Sequence, residues 1–139
     1  METNRLRVIY IAGPYRSKTE YGVRTNIRNA EQHALFVWAN GGVALCPQKN
    51  TAGFGGAIGN SEHIWLDGDL ELIRRCDAVY IIPGWEESKG TKAEIDFAHN
   101  IGIPVLESRD DVLKFLGKYV DKTQFPEDFE SHPERNDWP

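Results

Sequence analysis

The sequence predicts an α/β domain built on a single doubly wound, all-parallel sheet. Short β-branched apolar runs recur four times along its 139 residues. Segments with helical periodicity separate them, and Gly- or Pro-containing breaks close the first three runs. A strand that is apolar on both faces suits a sheet covered by helices on each side.

The first run, Val8-Ile9-Tyr10-Ile11-Ala12, is stopped by Gly13-Pro14. A helix follows, with Ile27, Ala30, Ala34, Val37 and Trp38 on one face. Asn40-Gly41-Gly42 ends it with residues that tolerate positive φ. Val43 to Cys46 is the second strand, closed by Pro47. Residues 48 to 61 are rich in glycine and read as a long loop, a kind of connection that is often functional. A helix starting near Ser61 carries Ile64, Trp65, Leu66, Leu70, Leu72 and Ile73. Ala78 to Ile82 is the third strand, Pro83 to Gly90 a loop, and 91 to 100 a helix ending at Gly102. Pro104-Val105-Leu106 is the fourth strand, and 110 to 119 the last helix. Right-handed crossovers make 2-1-3-4 the simplest strand order, a flavodoxin- or Rossmann-like arrangement. The domain spans residues 1–120. The tail, 121–139, holds six acidic and two basic residues without periodicity and is expected to be extended or to lie across a partner subunit.

Composition narrows the function. A net charge of −5 argues against a nucleic-acid polymer as partner, which would need a basic stripe. It leaves room for a free nucleotide, since a few local donors hold one phosphate. No stretch approaches about 18 consecutive apolar residues, so no membrane partner is expected and a cytoplasmic location is. Cys46 and Cys76 form no CxxC pair and read as reduced packing residues. The four histidines show no zinc-site spacing, so neither metal nor cofactor is expected. GxxxxGK[ST], GxGxxG and GxSxG patterns are all missing, which removes the usual support for triphosphate hydrolysis, dinucleotide redox chemistry and serine hydrolysis.

In such sheets ligands bind beyond the carboxyl ends of the strands. The loop Gly13-Pro14-Tyr15-Arg16-Ser17 offers a close backbone approach, a hydroxyl and a guanidinium fork; a plain turn with a solvated arginine is the alternative. In Ser88-Lys89-Gly90-Thr91-Lys92-Ala93-Glu94, Glu94 falls within the apolar arc of Ile95, Phe97, Ala98 and Ile101. A carboxylate facing a sheet needs a partner or a function. The alternative is a helix cap. Asp67 and Asp69 compete as the second carboxylate, and the residues alone leave the choice open. Asp77 adjoins the amino end of its strand, where a structural role is expected.

Taken together, Tyr10-Ile11-Ala12-Gly13-Pro14-Tyr15-Arg16, Asp69 through Asp77, and Ser88-x-Gly90-x-x-x-Glu94 with Gly102-x-Pro104-Val105 resemble the nucleoside 2-deoxyribosyltransferase-like superfamily. The resemblance covers about residues 7 to 107 and looks closest to a phage-associated branch. It implies Glu94 as nucleophile at the anomeric carbon and Asp69 as the acid that assists departure of the base. Tyr15 would orient Glu94. Serine at 88, as in the monophosphate N-glycosidases, implies that a 5′-phosphate is bound by Ser88, Arg16 and the Gly90 amide beside Gly13. Gln48 and Asn50 are the expected base readers. The implied activity is cleavage or transfer of the N-glycosidic bond of a nucleoside 5′-monophosphate, most simply a deoxynucleotide, by a homo-oligomer. An NAD glycohydrolase and a non-catalytic nucleotide sensor or decoy are the competing expectations.

Overall fold

The computed structural model describes residues 5–59 and 63–117. The tail expectation for 121–139 and the helix start near Ser61 lie outside the described residues; the helix expected over 110 to 119 instead ends at Phe115, where Leu116 caps it and Gly117 takes a positive φ of 76°. Four strands, β1 (Val8–Ala12), β2 (Val43–Leu45), β3 (Ala78–Ile81) and β4 (Val105–Leu106), form one sheet of order β2-β1-β3-β4. Every pairing is parallel: Val8 faces Val43, Ile9 faces Ala78, and Val79 faces Val105. The protein is thus a doubly wound, Rossmann-like α/β domain.

Helices α1 (Glu20–Ala39), α2 (Pro47–Asn50), α3 (His63–Arg74), α4 (Lys89–Asn100) and α5 (Arg109–Phe115) connect or follow the strands. Strand alternation sends Ile9, Ile11, Tyr80 and Ile82 to one face, where Phe36 and Val37 of α1 and Val112 and Leu113 of α5 cover them. Tyr10, Ala12, Val79 and Ile81 point to the other face, against Ile73 of α3 and Ile95 and Ala98 of α4. Between β1 and β3 the winding reverses, and a ligand crevice opens at such a switch.

Local chemistry sets the ends. Thr19 caps α1 by accepting from the Gly22 N–H at 2.9 Å, and Ser108 caps α5 through the Asp111 N–H at 3.1 Å. Two expectations are corrected. Trp38 is 53% exposed rather than on the buried face of α1. The buried arc is Ala30, Ala34, Phe36 and Val37, and Trp38 lies one step of about 100° past Val37. The 48–61 segment also begins with α2, because Pro47 at the first helical position has its φ preset and no N–H to satisfy. Beyond it the chain turns twice, with Phe54 N–H bonded to Thr51 O at 3.0 Å and Ala57 N–H to Phe54 O at 2.9 Å. Both cysteines are free. Among the described residues no helix is long and apolar enough to cross a membrane.

Candidate active site

The segments after β1, β2 and β3 meet faces of α1, α3 and α4 around a cleft of about 1010 Å³. Glu94 and Asp69 both line it, from α4 and α3 respectively. Glu94 is 7% exposed. It is not a cap: Ser88 caps α4, and the Glu94 carboxylate accepts instead from the Tyr10 hydroxyl at 2.7 Å. Burial pushes Glu94 up to about 8, against the hydrogen bond from Tyr10, and the charge of Asp69 adds to the rise. Burial likewise lifts half-buried Asp69 to about 6, and a hydrogen bond with Tyr10 opposes it. Tyr10 itself is raised, first by burial and then by the two carboxylates. Among the described residues no cation contributes to the shift of either acid.

Tyr10 therefore stands behind the cleft wall as the hydrogen-bond partner of Glu94. A phenol has one proton to donate, and here it goes to that carboxylate. Asp69 lies close enough for its charge to raise both Glu94 and Tyr10. The two acids therefore titrate as a coupled pair.

The start of α4 forms another wall of the cleft. Ser88 Oγ accepts from the Thr91 N–H at 3.2 Å and from the Thr91 hydroxyl at 2.8 Å, which leaves its own proton to donate. Thr91 is buried, and the first-turn amides, Gly90 included, have no partner within the helix. Arg16 and Lys89 line the same cleft, as does Glu87. Asn26 of α1 holds the loop that carries Arg16, donating to Tyr15 O at 3.1 Å and Arg16 O at 3.2 Å. An anion is suited to these donors.

Residues 7–107 match a family described as a domain of unknown function (DUF4406). The chain belongs to that family. The matched segment carries all four strands and every residue of the cleft wall named above. No curated protein matches the chain at a significant level.

Within this DUF4406 chain the sequence-predicted residues divide. Gly13, Tyr15, Arg16, Gln48, Asp69, Ser88, Gly90 and Glu94 line one cleft. Asn50 does not: it is exposed at the end of α2. Gln48 is 4% exposed and already engaged, donating to Gly13 O at 3.1 Å and accepting from Cys46 Sγ at 3.5 Å. From the cleft wall it braces the β1 loop. Tyr15 does not orient Glu94; its hydroxyl accepts from the Gly53 N–H at 3.2 Å. Tyr10 holds the orienting position, because it lies within β1 on the face toward α3 and α4, whereas Tyr15 follows the strand end. Gly13 is needed for packing: a Cβ there would meet Ile82 Cγ1 at 2.4 Å. Asp77 sits apart from the cleft, accepting from the Val8 N–H at 2.7 Å and from Arg5.

Tyr10, Asn26 and Thr91 escaped the sequence reading. Tyr10 carried a readable signal, since a tyrosine inside a doubly covered strand needs a partner for its hydroxyl. Asn26 and Thr91 carried none, because polar residues on a helix are ordinary.

Proposed function

We propose that this protein breaks or transfers the N-glycosidic bond of a nucleoside 5′-monophosphate, a 2′-deoxynucleotide in the simplest case. The observation that carries the reading is the buried Glu94–Tyr10 pair, with the half-buried Asp69 beside it, at the wall of a cleft that also presents Arg16 and the start of α4. The resemblance to the nucleoside 2-deoxyribosyltransferase-like superfamily supports it.

Two acids that share a proton supply what glycosidic cleavage needs. A Glu94 oxygen forms a bond to C1′ as the C1′–N bond breaks, and the bond's electron pair leaves with the base. Asp69 gives its proton to the departing nitrogen. Burial favours the proton on Glu94, which has the higher value of the two. Positive character building at C1′ reverses that preference by stabilising the ionised Glu94. Tyr10 touches no reacting atom. It donates to the ionised Glu94. In the second half Asp69 takes a proton from water, the water oxygen bonds to C1′, and the ester to Glu94 breaks. A second base in place of water gives transfer. Ser88, Arg16 and the Gly90 amide hold the phosphate.

Chromatography of products from a panel of nucleoside and deoxynucleoside monophosphates tests this. Free base with sugar 5-phosphate is expected, and base exchange when a second base is supplied. Nucleotide binding without turnover would leave a sensor or decoy, and release of nicotinamide from NAD alone would make the protein a glycohydrolase of that dinucleotide. A 2′-fluoro arabinosyl nucleotide should trap a sugar phosphate ester on Glu94, seen by peptide mapping; an adduct on Asp69 would exchange the two roles. We also propose that the chain works as an oligomer, which the exposed Trp38 and Tyr21 of α1 support. Light scattering showing monomer alone at micromolar concentration would count against it.

A further inference from the structure

Trp65 has no part in the mechanism above, yet it lines the cleft with Asp69 and Leu66. It lies four residues before Asp69 on α3, so the two side chains are neighbours on one helix face. Its indole Nε1 is buried and makes no hydrogen bond. Leucine or phenylalanine would fill the same wall without burying an unmet donor. What the indole adds is a broad π surface, and Phe54 packs on it with ring centroids 5.9 Å apart at 55°. The segment carrying Phe54 is tied to the β1 loop through the Gly53 N–H and the Tyr15 hydroxyl. Of the two side chains the sequence offered as base readers, Gln48 is engaged elsewhere and Asn50 is outside the cleft. A cleft of about 1010 Å³ also exceeds what a sugar phosphate fills.

We infer that Trp65, braced by Phe54, is the platform on which the base of the nucleotide stacks, placing the leaving group beside Asp69. The inference rests on the proposed function and deepens it. Stacking on an aromatic face tolerates every base, so Trp65 selects a flat aromatic leaving group over none rather than one base over another.

The test is calorimetric titration in the Glu94→Gln background, which prevents turnover, with deoxynucleoside 5′-monophosphates and with 2-deoxyribose 5-phosphate. The nucleotides should bind more tightly than the sugar phosphate. Trp65→Leu should weaken the nucleotides by about tenfold or more, the scale of one lost base–aromatic stack, and leave the sugar phosphate unchanged. Trp65→Phe keeps a ring and should retain most of the nucleotide preference, which guards against a folding defect in the leucine variant. Equal weakening of both ligands, or no weakening of either, would overturn the platform while leaving the proposed function intact. Failure of every nucleotide to bind the Trp65-intact protein would overturn both.

Discussion

At the residue scale the chemistry turns on where one proton resides. Asp69 is raised to about 6 and Glu94, which accepts from Tyr10, to about 8. The competent form of the pair is singly protonated whichever carboxyl holds the proton. Initial rates, plotted as kcat/KM against pH, should form a bell with limbs near 6 and 8. Below the lower limb no carboxylate is free to attack; above the upper one no acid remains for the base. Because the hydrogen bond from Tyr10 holds Glu94 down, Tyr10→Phe should move the upper limb to higher pH. A profile that loses height without shifting would make Tyr10 a packing residue only. Glu94→Gln should cut turnover by about a hundredfold or more while the circular dichroism spectrum is kept.

At the element scale Ser88 has two duties that one substitution separates. As the cap of α4 it satisfies the Thr91 N–H, and Ser88→Ala should cost about 1 kcal/mol in urea unfolding. Aspartate caps a helix as well as serine does, so Ser88→Asp should retain stability. Its charge would repel a phosphate dianion, so the nucleoside monophosphate should lose affinity while the matching nucleoside does not. Equal affinities for both ligands in Ser88→Asp would show that no phosphate is held there. At the end of β1, Gly13→Ala forces a methyl group into Ile82, which is 1% exposed and has no room to retreat. The expected loss is about 1–3 kcal/mol, read from the same unfolding midpoints.

For the whole molecule, burying Glu94 and partly burying Asp69 links stability to pH. Unfolded, Glu94 titrates near 4.5; folded, near 8. The folded chain therefore holds a proton that the unfolded chain gives up. The associated stability is complete below about 4.5 and is lost as pH rises through about 8. Asp69, raised from 3.8 to about 6, contributes with the same sign at lower pH. Asp77 has the opposite sign: its value is lowered, so its contribution is present at neutral pH and fades as the medium turns acid. The unfolding free energy from urea titration should fall between pH 5 and pH 9 by roughly 4 kcal/mol, about three pH units of Glu94 linkage at about 1.4 kcal/mol each. Glu94→Gln cannot ionise and should flatten that slope, exceeding the parent protein at pH 9. A parent protein equally stable at both pH values would mean that water reaches Glu94 and its burial is incomplete.

Period and punctuation sufficed for the architecture. Four apolar runs separated by helical patterns leave one economical winding, and the chirality of crossovers then orders the strands. Glu94 was legible for a related reason: a charge within an apolar helical arc conflicts with its own surroundings, and such conflict is visible without coordinates. Proximity across the sheet was not. Tyr10 and Glu94 are 84 residues apart, and only the placement of α4 over β1 joins a phenol to that carboxylate. The same packing separated Tyr15 from Glu94 and drew Gln48 back onto Gly13. The sequence by itself determined which helix faces and strands are apolar, because those follow from spacing along the chain. Tertiary structure alone decided which hydroxyl meets which acid, because a hydrogen bond depends on a few tenths of an ångström between segments that the chain leaves far apart.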